Sequence, residues 1–237
     1  TYTHYHDCVQ ANHVVCPEDI LDVVCLPFQG AWGERPFTAV LACNDNTIRV
    51  IEGSNVAHEI QMTDTPVTLQ LFLGDGGHNK MHVLYGTKTG MLGLLDLPQN
   101  SHNIVWEINT TSASAITAMT CYALTGDIEG RKDVILGKDD GRVEIYTVDR
   151  DDTVTLRQMI QSDESITCVA CGRVSNEHTD DIVVCTYTGW VFSLTRIAEG
   201  SVSSVGPPVH AVNAKVQQLK NEVTELEQKV LEERNRY

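Results

Sequence analysis

The run Gly126-Asp127-Ile128-Glu129-Gly130-Arg131-Lys132-Asp133 spaces three acids, Asp127, Glu129 and Asp133, along one short loop. Calcium takes several carboxylate or carbonyl oxygens at alternating positions of such a loop. Arg131 stands where another acid would complete the set, so the run reads as a structural turn. The related run Gly74-Asp75-Gly76-Gly77-His78 offers a single acid. His4, His6 and Cys8 alternate, with His13 and Cys16 nearby, and nitrogen and sulfur ligands of this kind suit zinc. No repeated cysteine pair accompanies them, so exposed or half-buried side chains are expected there. Cys168-Val169-Ala170-Cys171 is a C-x-x-C, but it lies in an apolar strand-like run. Positions i and i+3 of a strand face opposite ways, which suits neither joint ligation nor a redox pair. Gly137-Lys138-Asp139-Asp140-Gly141 is a hairpin turn whose acids would repel a phosphate. The chain holds no nucleophile elbow and no H-E-x-x-H. Trp32, Trp106 and Trp190 read as core or sheet-edge aromatics. No catalytic residue, metal ligand or cofactor is therefore expected, and the chain is read as a non-enzyme.

Composition points the same way. Of 237 residues, 32 are acidic and 17 are Lys or Arg, a formal net charge of −15. So acidic a chain has no electrostatic footprint for nucleic acid. No apolar stretch is long enough to span a membrane. The chain opens Thr1-Tyr2-Thr3-His4 without an initiator methionine, so it is expected to be part of something longer. Cysteines 8, 16, 25, 43, 121, 168, 171 and 185 mostly sit inside apolar runs such as Val24-Cys25-Leu26 and Val184-Cys185. Such thiols are expected to be buried and reduced, in a cytosolic setting. The sequon Asn109-Thr110-Thr111 would matter only in a secreted chain.

The elements that must position these residues repeat along the chain. Four segments carry a small residue, three variable positions and a Gly or Asn, behind a short apolar run: Ala42 to Asn46, Gly86 to Gly90, Gly137 to Gly141 and Cys185 to Gly189. The closing positions 46, 90, 141 and 189 lie 44, 51 and 48 apart. Each is followed by a run read as an alternating strand: Ile48–Ile51, Met91–Leu94, Val143–Tyr146 and Trp190–Leu194. Two such runs about a short Gly/Asn/Asp loop predict a hairpin. A further strand precedes each hairpin, starting at Leu21, Val67, Ile116 and Ile166. A fourth strand follows the first three, at Val56–Ile60, Ile104–Ile108 and Val154–Gln158. Four short antiparallel strands at this period predict an all-β fold, the blades of a β-propeller over residues 1–198. About four blades fit, and residues 1–17 read as the tail of an earlier one, so a partial ring is expected. The fourth repeat lacks an obvious last strand, which residues upstream of Thr1 would supply.

Residues 199–208 read as a linker, ending in Gly206-Pro207-Pro208. From 209 to 237 the apolar positions Val209, Val212, Val216, Leu219, Val223, Leu226 and Val230 alternate spacings of 3 and 4. Valine at a and mostly leucine at d predicts a two-stranded parallel coiled coil. Position g holds Lys215, Glu222 and Lys229, and position e holds Lys220, Glu227 and Arg234. An in-register homodimer sets Lys215 against Lys220, Glu222 against Glu227 and Lys229 against Arg234, each like-charged and doubled by symmetry. At roughly 0.3–0.5 kcal/mol per pair the penalty is about 2–3 kcal/mol, which favours a complementary partner chain. An antiparallel self-pair shifted by one heptad would also escape it, with a shorter seam.

Several motifs, in order along nearly the whole chain, resemble the Bardet–Biedl syndrome 7 family. They are Asp22-Val23-Val24-Cys25-Leu26-Pro27, Val40-Leu41-Ala42-Cys43, Arg49-Val50-Ile51-Glu52-Gly53-Ser54, Asp139-Asp140-Gly141-Arg142-Val143-Glu144-Ile145-Tyr146, Thr186-Tyr187-Thr188-Gly189-Trp190-Val191 and Lys229-Val230-Leu231-Glu232-Glu233-Arg234. The resemblance implies a subunit of the BBSome, a coat-like complex in ciliary membrane-protein trafficking and ciliogenesis. It implies an N-terminal seven-bladed propeller followed by a coiled coil, of which this chain holds the later blades and the coil. It also implies other BBSome subunits as partners, with the Bardet–Biedl syndrome 2 protein as the coil partner. The implied locations are the cytoplasm, the cilium, its basal body and, peripherally, its membrane. The rival expectation is a metal-binding or catalytic propeller of integrin-like or lyase type, resting on the loop at 126–133.

Overall fold

The computed structural model describes residues 1–6, 8–26, 38–72, 82–97, 103–124, 132–149, 151–175 and 179–195. All the described strands lie within one compact unit, residues 1–196. A hairpin of β1 (Tyr2–His6) and β2 (Val9–Val14) comes first. Then follow three four-stranded antiparallel meanders. The first is β3 (Ile20–Cys25), β4 (Thr38–Cys43), β5 (Thr47–Glu52) and β6 (Asn55–Gln61). The second is β7 (Pro66–Phe72), β8 (His82–Thr87), β9 (Met91–Asp96) and β10 (Asn103–Asn109). The third is β11 (Ile116–Tyr122), β12 (Lys132–Lys138), β13 (Arg142–Val148) and β14 (Val154–Gln161). A three-stranded sheet closes the described part: β15 (Ile166–Gly172), β16 (Asp181–Thr186) and β17 (Val191–Thr195). In every sheet, sequence neighbours pair. The first strands β3, β7, β11 and β15 pack one against the next, as propeller blades do. Among the described residues there is no helix, and none long and apolar enough to cross a membrane.

The apolar core lies between the sheets. Alternate residues of a strand face opposite ways, and the second strands use both faces. Ala39, Leu41 and Cys43 of β4 pack towards the β1–β2 hairpin, while Val40 and Ala42 pack towards the next sheet. Val83 and Tyr85 of β8 face the first sheet and Leu84 faces the third. Val134 and Leu136 of β12 face the second sheet and Ile135 the last. The third strands β5, β9 and β13 are also buried nearly throughout. This corrects the expectation of alternating strands there: a sheet covered on both faces needs apolar residues at successive positions. Period 2 survives only at the outer and inner margins, as in β3 and β17.

Both ends of the repeated five-residue pattern have a structural cause. The closing residues Asn46, Gly90, Gly141 and Gly189 have φ of 60°, 84°, 83° and 89°. Three-residue hairpin loops end in this left-handed conformation, which favours Gly and Asn. The small residue that opens the pattern is where the next sheet arrives. A Cβ at Gly86 would lie 2.8 Å from Cβ and Cγ2 of Ile116, and one at Gly137 would overlap Cγ2 of Ile166. Ile116 and Ile166 are the first residues of β11 and β15 and are fully buried. The Thr117 hydroxyl adds a bond across this joint to the carbonyl of Ile166.

Substituting Gly137→Ala is therefore expected to cost about 1–3 kcal/mol, the usual range for overpacking. In an Ile166→Ala background the same step should cost at least about 1 kcal/mol less, because the obstructing methyl is gone. Denaturant melts of the four proteins of this cycle measure the coupling. Additive effects would show that the joint between sheets does not set the glycine.

Candidate functional site

The hairpin turns and the connectors between sheets form one rim, and a repeated polar clamp joins them. Asp64 accepts from the Thr89 amide at 2.8 Å and from its hydroxyl at 2.6 Å. Ser114 Oγ accepts from the Asp140 amide at 3.0 Å. Glu164 accepts from the hydroxyls of Thr186 at 2.6 Å and Thr188 at 2.5 Å. The acceptors 64, 114 and 164 each stand two residues before a first strand, β7, β11 or β15. Burial raises the Asp64 pKa, but hydrogen bonds from Thr87, Thr89 and Thr65 outweigh it, so its carboxyl titrates below the usual range. The connecting backbone repeats too. The first turn residues Asn44, Lys88, Asp139 and Tyr187 donate to the carbonyls of Asp19, Thr65, Ala115 and Ser165, at 2.9, 2.9, 3.0 and 2.9 Å. The outward positions of these turns, including Lys88, Thr89, Asp139, Asp140, Tyr187 and Thr188, are exposed.

The second connector is locked by a buried ion pair. Lys138 and Glu144 are both 0% exposed, with Nζ 3.5 Å from Oε1. Lys138 also donates to Thr110 Oγ1 at 2.5 Å and to the Ser112 carbonyl at 2.8 Å. Glu144 accepts from Tyr146 OH at 2.8 Å and from the Thr111 hydroxyl. Burial pulls the Lys138 pKa down, and Glu144 and Asp140 oppose that. In the first sheet Arg49, 3% exposed, makes a two-pronged pair with Asp45 at 3.0 and 2.5 Å. That pairing holds the Asp45 carboxyl below its usual range and keeps the guanidinium charged.

A second repeat sits at the far ends of the hairpins. The register pairs Thr38 with Glu52, His82 with Asp96, Asp133 with Thr147 and Asp181 with Thr195. His82 Nε2 lies 3.5 Å from Asp96 Oδ1. Thr147 donates to Asp133 at 2.7 Å and Thr195 to Asp181 at 2.6 Å. Asp133 also accepts from Arg157 and from the Leu124 amide, so both of its oxygens are committed inside the fold. Of the three acids weighed as calcium ligands, Asp133 is thus a buried strand residue. Asp127, Glu129 and Arg131 lie outside the described residues, as do Asp75 and Trp32.

The remaining candidates fall apart in space. Strand β1 ends at His6, and Cys8 follows in a turn with φ of 63°, off the strand that carries His4 and His6. His13 Nδ1 bonds the Thr3 hydroxyl at 3.0 Å, and Cys16 is buried. Among the described residues no group of three His, Cys, Asp or Glu is placed to hold a metal ion. Cys168 is exposed, while Cys171 packs in the core between the last two sheets. Burial pushes the Cys121 and Cys171 thiols up to about 12, so neither is a thiolate nucleophile at neutral pH. Only Cys16 and Cys43 are fully buried; Cys8, Cys25 and Cys168 are exposed, against the expectation for apolar runs. Cys25 and Cys168 sit in first strands, where alternate side chains leave the core. Trp106 is half-buried and Trp190 stands exposed where β17 begins. The seam residues Val209, Val212, Val216, Leu219, Val223, Leu226 and Val230 lie outside the described residues. So do Lys215, Lys220, Glu222, Glu227, Lys229 and Arg234. Sequence reading missed the clamp at 64, 114 and 164 because Asp, Ser and Glu fill it in turn. The shared offset from the next strand was the available signal.

Asp181 carries a testable charge. The hydroxyl of Thr195 and then the amide of Ser175 hold its pKa at about 2, against the opposing pull of burial. A depressed carboxylate contributes stability that is complete above its ordinary pKa of about 3.9. That contribution is lost as pH falls through the native value. Asp181→Asn should therefore lower Tm at neutral pH, with the gap to the parent protein closing between about pH 4 and pH 2. Thermal melts across that range check it, and a gap independent of pH would exclude a role for the charge.

Comparison with known proteins adds the following. The family profile described as the BBS7 beta-propeller matches residues 1–196. The "BBSome complex member bbs-7" of Caenorhabditis elegans is 47% identical over 238 residues, covering 100% of this chain and 32% of the relative. The "BBSome complex member BBS7" of Mus musculus is 35% identical over 240 residues, covering 100% and 33%. The chain thus spans about a third of the length of these curated relatives. Among solved structures, BBS1N in complex with ARL6DN aligns with a TM-score of 0.56 at 16% identity, covering 84% of this chain and 57% of that one. Sqt1 of Saccharomyces cerevisiae aligns at 0.56 and 16%, covering 76% and 47%. At such identity these two likenesses speak for the fold alone.

Proposed function

The chain belongs to the BBS7 β-propeller family, and on that premise we propose that it is a scaffold and protein-interaction part of a BBSome subunit, not an enzyme. The observation that carries this is the 47% identity, across the whole chain, to a relative named as a BBSome complex member. The structure supports it with clusters of polar groups that bond one another and so fix the sheets. Exposed turn residues on a rigid frame are a surface for protein contacts. The work of the subunit is ciliary membrane-protein trafficking and ciliogenesis, at the cilium, its basal body and, peripherally, its membrane. Its partners are other BBSome subunits.

Within this reading, residues 209–237 form a parallel coiled coil with a different subunit, the Bardet–Biedl syndrome 2 protein. The like-charged pairs that a self-dimer would set up support a heteromeric pairing.

The test uses the full-length protein. Tagged protein recovered from ciliated cells should bring down BBSome subunits in stoichiometric amounts. The triple variant Lys220→Glu, Glu227→Lys, Arg234→Glu turns all the self-pairs attractive. It should gain self-association, with about 2–3 kcal/mol of repulsion removed, and lose the partner subunit. Native mass spectrometry reads both. Tight self-pairing of the parent protein that the partner does not displace would defeat the charge argument, and recovery without BBSome subunits would defeat the wider reading.

A further inference from the structure

The second and third sheets splay apart towards their outer strands. The first strands β7 and β11 pack along each other, and the fourth strands β10 and β14 do not pack in this way. The gap between β10 and β14 has apolar walls. Trp106 and Ile108 of β10 stand opposite Leu94 and Leu92, whose side chains enter the core between these two sheets. Val154 and Leu156 of β14 stand opposite Val148 and Tyr146 of that same core. The two walls therefore face each other across its outer end.

A bulge completes the β14 wall. Leu156 and Met159 are three positions apart, which in a regular strand would put them on opposite faces. Here Leu156 pairs with Tyr146 and Gln158 with Ile145, so Arg157 is the extra residue. Met159, opposite Glu144, thereby shares the face of Leu156. At the rim end its sulfur lies 3.5 Å from the hydroxyl of Thr111, in the connector that leaves β10. Leu156 and Met159 are 41% and 46% exposed, so the groove is open to solvent. The corresponding groove between the first and second sheets is polar. There His58 stands opposite Val50 and Glu107 opposite Gly93, with the Tyr85 hydroxyl bonded to Glu107.

Two further observations point to an occupant. Among the described residues, Trp106 Nε1 is buried without a hydrogen-bond partner. An indole N–H in such a place usually has an acceptor. At the end of the groove away from the rim, the run Asp149-Arg150-Asp151-Asp152 leads into β14 with three acids and one base. Asp151 and Asp152 are exposed. Lys132 on the same face of the third sheet is drawn inward, its Nζ 5.9 Å from the centroid of the Phe72 ring. That end of the groove suits a cation.

We propose that the groove between β10 and β14 docks a short extended peptide of another protein, carrying apolar side chains at alternate positions and Lys or Arg at one end. Packed sheets stand about 10 Å apart, so a gap that widens from this admits one extended chain and no folded domain. Alternate side chains of an extended chain recur about every 7 Å. Leu156 and Met159 match that interval, because their partners Tyr146 and Glu144 are two positions apart. The apolar side chains of the guest pack on Leu156, Met159, Trp106 and Ile108, and its base meets Asp151 and Asp152. The indole of Trp106 turns on binding and donates Nε1–H to a carbonyl of the guest. The inference adds a site to the scaffold reading and does not depend on which complex the protein joins.

Fluorescence anisotropy with the full-length protein tests it. The labelled probes are Leu-Thr-Leu-Thr-Lys-Lys, its reversed sequence, and the controls Leu-Thr-Leu-Thr-Glu-Glu and Ser-Thr-Ser-Thr-Lys-Lys. One of the first two should bind at least about tenfold more tightly than either control. Leu156→Asp should weaken that binding at least about tenfold with Tm unchanged, because Leu156 is part-exposed and the charge falls in the apolar contact. Trp106→Phe keeps the apolar wall and should weaken it about two- to tenfold through the lost N–H. Hydroxyl-radical footprinting should oxidise Met159 in the isolated protein, and the bound peptide should protect it. Equal binding of all four probes, no binding of the first two, or an unaltered affinity in Leu156→Asp would overturn the proposal. So would a Met159 already protected in the isolated protein, with the groove filled by its own chain, or protected only by another folded subunit. Recovery of BBSome subunits uses neither these probes nor these residues, so the two readings can fail separately.

Discussion

At two of the joints, how closely one sheet approaches the next depends on a single contact, the first residue of an inner strand resting on a glycine of the sheet before it. Ile116 on Gly86 and Ile166 on Gly137 leave no room for a Cβ. Backbones that near each other let the apolar faces of successive sheets interlock, so each core cluster draws residues from two sheets. The same approach brings each connector over the preceding turn, where Gly90 and Gly141 meet carbonyl oxygens of the chain passing above. Burial on both faces follows, and with it the unbroken apolar runs of the second and third strands. Interiors packed at this density transmit small volume changes instead of absorbing them.

The polar groups fix what the apolar contacts leave free. Apolar packing sets spacing but is indifferent to small slides along a strand; hydrogen bonds are not. The clamps at Asp64, Ser114 and Glu164 hold each connector to the hairpin of the sheet it enters. At the opposite end the Asp133–Thr147 and Asp181–Thr195 rungs hold the hairpin strands in register. The Lys138–Glu144 pair joins these devices, since its ligands Thr110, Thr111 and Ser112 all belong to a connector. Desolvating such a pair is costly unless every lone pair and proton finds a partner, and here hydroxyls and a carbonyl supply them. Polar groups spent in this way serve rigidity, while the outward residues of the hairpin turns stay exposed.

Much of this architecture was legible in the sequence because the physical causes recur at a fixed period. The small residue and the Gly or Asn four positions later were visible as a motif. The structure ties them to sheet approach and to a left-handed turn. Strand positions were legible for the same reason. What escaped was whatever depends on neighbours far along the chain. Arg49 within β5 suggested an alternating strand, yet it is buried, because Asp45 pairs with it. Asp133 looked like part of an acidic loop, because the strand that covers it, carrying Thr147, comes later. Cys25 and Cys168 looked buried amid apolar residues, because nothing local tells an inner strand from a central one. The clamp was hidden by chemistry, since an acid and a hydroxyl do the same work with different letters. In residues 209–237 the charge pattern stands as a sequence argument, because side-chain sign and heptad position alone decide it.

The central claim is that one repeated joint builds the β-sheets into a rigid frame that serves a larger assembly. A side-chain-resolution cryo-EM map of the full-length protein within the complex it forms in cells tests this most directly. The account predicts β3, β7, β11 and β15 side by side about one axis, Ile116 over Gly86, Ile166 over Gly137, and the exposed turns or the 209–237 segment against other subunits. Sheets stacked face to face as a sandwich, with those isoleucines away from the glycines, would contradict it.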